Sequence, residues 1–147
     1  VERVITTNFL GPVNCLAALQ SQLSAGNRVV LVSSMAHWLP FPRAEAYGAS
    51  KAALTWFANS LRLDWEPRGI AVTVVSPGFV DTPLTRKNDF SMPGQVSVEQ
   101  AVKAIRRGLA KGHDRIAFPT GFCLLLRLLA GLPEGLQRRL LRRMVRP

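Results

Sequence analysis

The chain has 147 residues, 48% of them hydrophobic and 19% charged, with a net charge of +10. This is one domain's length with enough apolar content for a sizeable core, which excludes a disordered tail, and the absence of any run of about 18 uninterrupted apolar residues excludes an evident membrane span. Six arginines against Glu134 put +5 of that charge into residues 127–147, so the remainder carries no general polycation signal for nucleic acid.

Residues 1–10, VERVITTNFL, open on Val and lack the layout of a signal peptide, so the sequence is expected to be a piece of a longer chain. Residues 1–24 are predicted helical, with a break near Gly11-Pro12 and a mostly buried face of Val13, Leu16, Ala17 and Leu19. Ala25-Gly26-Asn27 stops the helix. Arg28–Ser33, RVVLVS, is apolar and β-branched almost throughout, as in a strand covered on both faces. A loop with His37, Trp38, Pro40, Phe41 and Pro42 follows. The next helix is predicted from Ala44 to Trp65, rich in small residues and stopping before Pro67 and Gly69. Ile70–Ser76 is a second strand of buried type, ended by Pro77-Gly78. Residues 79–96 show no period and hold Pro83, Asn88, Pro93 and Gly94, which marks a loop. Ser97-Val98-Glu99-Gln100 matches a capping box, opening a helix that turns Val102, Ile105 and Leu109 inward and ends near Gly112. Arg115–Phe118 is a short last strand. Alternating helices and strands predict a parallel α/β sheet. Ser34 and Pro77-Gly78 then fall at the carboxyl ends of neighbouring strands, where open α/β sheets bind ligands.

Cys15 and Cys123 lack metal-type spacing and are expected to be buried free thiols in a reducing compartment; no metal site is expected. His37 and His113 have no partner pattern. In the tail, Leu136, Leu140, Leu141, Met144 and Val145 occupy one half of a helical wheel. Arg138, Arg139, Arg142, Arg143 and Arg146 occupy the other. Such a basic amphipathic helix either packs on its own domain or a partner copy, or rests on an anionic membrane surface. The apolar stretch from Phe122 to Leu132 suits either a cover over a substrate cleft or contact with lipid.

The chemistry points to Tyr47, the only tyrosine, and Lys51 four residues later. On a helix they share a face about one turn apart. A cation in that position favours the phenolate, and a tyrosine so placed can exchange a proton with an alcohol or carbonyl. Ser34 lies thirteen residues before Tyr47. Taken singly, a strand-end serine, a helix lysine and a turn asparagine are ordinary; their order and spacing together are not.

The stretch Ser34, thirteen residues, Tyr47-Gly48-Ala49-Ser50-Lys51-Ala52-Ala53-Leu54 resembles the catalytic segment of the short-chain dehydrogenase/reductase family. Asn8 with Gly11 resembles that family's Asn-x-x-Gly, and Pro77-Gly78 with Thr82 its Pro-Gly-x-x-x-Thr. The resemblance covers roughly residues 1–118. It implies the C-terminal half of a doubly wound, Rossmann-like parallel sheet, with residues 119–147 as a basic amphipathic helical extension. It also implies NAD or NADP as cofactor, a small-molecule alcohol or ketone as substrate, and a homo-oligomer through the helix 44–65.

By that resemblance Tyr47 is the general acid/base. Lys51 supports it and bonds the nicotinamide ribose, and Ser34 bonds the substrate oxygen. Asn8 holds a helix distortion and a proton-carrying water. Pro77, Gly78 and Val80 wall the nicotinamide, with Thr82 near its carboxamide. The Gly-rich pyrophosphate turn, the Asn-Asn-Ala-Gly motif and the residue that selects NAD or NADP are not in this sequence, and are expected upstream of Val1. His37 stands where a glycine is usual. The reading is an NAD(P)-dependent oxidoreductase, cytoplasmic or membrane-associated, with a hydrophobic or lipid-like substrate. The alternative is a non-catalytic membrane-surface or interaction module derived from such a fragment.

Overall fold

The computed structural model describes residues 1–83, 85–87 and 92–142. Asn88 of the predicted loop, and Arg143, Met144, Val145 and Arg146 of the predicted tail helix, lie outside the described residues. The chain runs α1 (Glu2–Ile5), α2 (Gly11–Leu19), β1 (Arg28–Val32), α3 (Glu45–Trp65), β2 (Ala71–Pro77), α4 (Val98–Ala110), β3 (Arg115–Phe118), α5 (Thr120–Ala130) and α6 (Glu134–Leu141). The three strands form one parallel sheet in the order β1-β2-β3, with Arg28 opposite Ala71 and Val74 opposite Arg115. It is the α/β parallel arrangement that the alternation of elements predicts.

The first helix differs from expectation at its middle. No break occurs at Gly11-Pro12. Instead α1 passes through one π-helical turn, Thr6–Leu10, directly into α2. Pro12 falls in the first turn of α2, where a missing N–H costs least. Nor is this helix mostly buried: Leu16 is the one buried residue of α2, and Leu19 is exposed. Its helical neighbour is α3, so only the stripe through Phe9 and Leu16 is covered. Cys15, expected buried, lies on the open side.

One core fills the space between the sheet and α2/α3, built from Leu16, Leu31, Leu54, Ala58, Trp65 and Val72. Gly69 closes the turn after α3 with φ 70°, a left-handed conformation that costs a side-chain-bearing residue more. On the opposite face α4 packs Ala101 over Val75, Ile116 and Phe118. The capping box is formed in full: the Gln100 N–H donates to Ser97 Oγ at 3.2 Å, and the Ser97 N–H donates to Gln100 Oε1 at 2.9 Å. Val102, however, points outward and is 47% exposed. The inward stripe is Ala101, Ile105, Gly108 and Leu109, because Ile116 already occupies the space beneath. A Cβ on Gly108 would stand 2.6 Å from the Ile116 side chain. β1 is also covered differently from expectation. Leu31 faces α3, but Val30 and Val32 point to the α4 side of the sheet, beyond the reach of α4, and stay exposed.

A third core joins the turn after β1 to the C-terminal helices: Met35 and Leu39 meet Cys123, Leu126 and Leu141. Of the tail's described apolar residues, Leu141 joins that core while Leu136 stays 43% exposed.

Candidate active site

β1 delivers two adjacent serines to different roles. Strand alternation turns Ser33 into the α3 interface and Ser34 away from it. Ser33 is buried; its N–H continues the ladder to the Val75 carbonyl at 2.7 Å. Its hydroxyl lies 2.7 Å from Thr55 Oγ1 and 3.0 Å from the Lys51 carbonyl. Ser34 begins the 3₁₀ turn Met35–His37, its Oγ accepting the Ala36 N–H at 3.1 Å.

That turn sits hard against the first turns of α3. A Cβ on Gly48 would meet the Ala36 carbonyl oxygen at 3.2 Å, so the glycine permits the approach. On α3, Lys51 lies behind Tyr47, its Nζ 5.9 Å from the tyrosine ring centre. The same ammonium donates to the Val32 carbonyl at 2.9 Å, at the end of β1. Burial pulls the Lys51 pKa below the ordinary lysine value. Tyr47 itself is 42% exposed, open at the edge of the site.

Asn8 reaches this helix from the π turn. Its Nδ2 donates to Ser50 Oγ at 3.1 Å, and the Ser50 hydroxyl in turn donates to the Tyr47 carbonyl at 2.7 Å. Ser50 is fully buried between the two. The structure therefore brings Asn8, Ser34, Tyr47 and Lys51 around one helix end. Ser50, Gly48 and Ser33 make the contacts between these elements, a part that sequence reasoning does not assign to them. Ser50 carries a signal nonetheless: it is a lone hydroxyl in the small-residue face of α3, where only a buried partner justifies it.

The second strand end lies beside the first. Pro77 ends β2, and the Gly78 N–H donates to the Phe118 carbonyl at 2.8 Å. A Cβ on Gly78 would meet Phe118, Pro119 and Phe122 atoms at 3.3 Å, so no side chain fits there without displacement. Val80 bridges to Val96, and its carbonyl accepts from Thr85 Oγ1 at 2.6 Å. Thr82 is held in the same turn, its N–H donating to Thr85 Oγ1 at 2.9 Å.

His37 is half-buried beside Ser34, with Nδ1 against the Ser34 carbonyl; a carbonyl only accepts, so Nδ1 carries the proton. Burial lowers the His37 pKa, the Ser34 hydrogen bond partly restores it, and Arg115 and Arg127 lower it further. The unfolded chain therefore takes up a proton at higher pH than the folded one. Stability is lost as pH falls through the ordinary histidine range near ~6.5. Going from about pH 7.5 to about pH 5.5, thermal melts should show a larger drop in Tm for wild type than for His37→Gln. Equal drops would remove His37 as a source of acid sensitivity.

The family model for short chain dehydrogenases matches residues 1–92. An uncharacterised oxidoreductase of Myxococcus xanthus strain DK1622 is 36% identical over 138 residues, covering 92% of this chain and 54% of the relative. The 11-beta-hydroxysteroid dehydrogenase A of Arachis hypogaea is 35% identical over 103 residues, covering 69% of this chain and 29% of the relative. Among solved structures, a short chain dehydrogenase from Burkholderia cenocepacia J2315 in complex with NADP superposes with a TM-score of 0.79 at 26% identity, over 92% of this chain and 56% of that one. The chain thus spans about half the length, or less, of the relatives it matches. It belongs to the short-chain dehydrogenase/reductase family.

Proposed function

We propose that this chain supplies the proton-transfer half of an NAD(P)-dependent oxidoreductase acting on a secondary alcohol or ketone. The observation that carries the reading is the gathering of Ser34, Tyr47 and Lys51 at the carboxyl end of β1, with Asn8 tied to the same helix through Ser50. The donors present suit the nicotinamide end of a dinucleotide. An ammonium has three N–H donors, and Lys51 gives one to Val32, leaving others for a ribose hydroxyl pair. Pro77, Gly78 and Val80 form a closely packed wall beside it, with Thr82 at its end. The sequence holds no Gly-rich turn for the pyrophosphate. The NADP bound by the Burkholderia structure supports a nicotinamide cofactor here without choosing between NAD and NADP.

A nicotinamide held there would supply or accept the hydride at the substrate carbon. Tyr47 gives its phenolic proton to the carbonyl oxygen in reduction, or takes the alcohol proton in oxidation. Lys51 steadies the negative charge that Tyr47 carries between those events. An ammonium whose pKa burial has lowered also passes a proton on more readily. The Ser34 hydroxyl donates to the substrate oxygen as charge develops there, a role suited to a fixed donor. Asn8, anchored on Ser50, holds the inner end of the proton path. A hydrophobic substrate is in keeping with the steroid named for the Arachis relative.

Tyr47→Phe in the complete protein should lower kcat by about 10²- to 10⁴-fold, with the dinucleotide dissociation constant nearly unchanged. Near-normal turnover in that variant would sink the mechanism.

Two further surfaces bear on partners. Leu63, 72% exposed on the outer side of α3, supports a homo-oligomer built on that helix. Leu63→Glu should then shift the protein to lower mass on sedimentation; an unchanged mass takes α3 out of the interface. On α5, Leu124, Leu125 and Leu128 are exposed, and α6 carries Arg138 and Arg139, which favours the second reading, contact with an anionic membrane surface. Among the described residues no helix is long and apolar enough to cross a membrane. Leu124→Ser with Leu128→Ser should reduce sedimentation with phosphatidylserine vesicles several-fold. Undiminished sedimentation removes the membrane reading.

A further inference from the structure

On the α3 side of the sheet a trough of about 290 Å³ opens between α3 and the edge strand β3. Ser34, Tyr47 and Lys51 do not line it. Trp56 and Asn59 stand on its α3 wall, Arg115 rises from β3, and His37, Trp38 and Arg127 close its upper end.

Its lining holds two guanidinium groups and no carboxylate. Among the described residues neither Arg115 nor Arg127 pairs with an acidic side chain. Arg115 instead shares a neutral acceptor with a third arginine. Asn59 Oδ1 accepts from Arg62 Nη1 at 3.1 Å and from Arg115 Nη2 at 3.4 Å. Arg62 is itself committed to the carbonyls of Val72 and Asp114. Like charges converging on one amide oxygen repel, and an anion between the arginines would offset that repulsion. Guanidinium forks match carboxylate and phosphate oxygens in pairs. Arg127 is held in place by an aromatic face, its guanidinium centre 5.0 Å from the Trp38 ring centre. Trp38 and Trp56 supply aromatic wall for whatever body carries the charge.

We propose that this trough binds a small organic anion, a carboxylate or phosphate ester on an aromatic or apolar body. Its charge sits between Arg115 and Arg127, and its body lies along Trp38 and Trp56. The site is separate from the hydride-transfer site and stands whether or not that reading holds.

Isothermal titration of the complete protein with phenyl phosphate, and separately with benzoate, tests it, with NADP present in excess to occupy any dinucleotide site. One equivalent per chain should bind saturably, and the stronger of the two probes identifies the charge class. Arg115→Gln with Arg127→Gln should weaken that binding at least about tenfold, while Arg138→Gln with Arg139→Gln leaves it unchanged. Both trough arginines are exposed, so their replacement leaves the core intact; Arg127→Lys, which keeps the charge but not the fork, should give an intermediate loss. Absence of saturable binding by either probe, or equal binding by the double variant, overturns the proposal. So does a fall in sedimentation mass in the double variant, which would mean that an acid of a second copy fills the trough.

Discussion

The seam between the end of β1 and α3 is the contact on which the rest of the site depends. Three short-range features close it. Ser33 ties the strand to the Lys51 carbonyl and to Thr55, Gly48 lets the Ala36 carbonyl approach the helix backbone, and Lys51 returns to the Val32 carbonyl. Each bond joins strand to helix rather than neighbours within an element. Residues far apart in sequence are thereby held at fixed separation, and the turn that begins at Ser34 is pressed against the helix turn that carries Tyr47. Ser33 spends its hydroxyl on the seam, whereas Lys51 fastens it with one N–H and keeps its other donors available.

Much of this is legible without coordinates. Strands and helices fall where the apolar runs and the capping box place them, and the spacing of Ser34, Tyr47 and Lys51 singles those residues out. The failures share a cause. A run such as RVVLVS reports which surfaces benefit from cover; it does not say whether the chain supplies a cover for both. Val30 and Val32 have none, and the first helix is covered only along the stripe that meets α3 and the sheet. Val102 misleads because inward positions are expected to be large. Where Ile116 rises from the strand below, the helix answers with Ala101 and Gly108 instead. Ser50 escapes notice because its partner, Asn8, is 42 residues away, a distance that local pattern does not span.

The C-terminal helices pack on the turn that follows β1. Cys123 and Leu126 share a core with Met35, next to Ser34. At the adjacent strand end, Phe122 and Pro119 crowd Gly78 and Gly94. Apolar contacts in this third core and polar contacts at the seam divide the labour. Burial without directionality holds the elements together, and hydrogen bonds with direction fix how strand end and helix face each other.

The π turn at Thr6–Leu10 has a consequence for evolution of the chain. Such a turn amounts to one residue inserted into an otherwise regular helix, and its ring closes from the Gly11 N–H back to the Thr6 carbonyl. Removing one residue there would restore an ordinary spiral and swing everything before it by about 100° against α2. Asn8 would leave its place over Ser50, or Leu16 would leave the core. Length in this short stretch is consequently under tighter restraint than composition: substitutions among its outward residues are tolerable, whereas a single codon gained or lost is not.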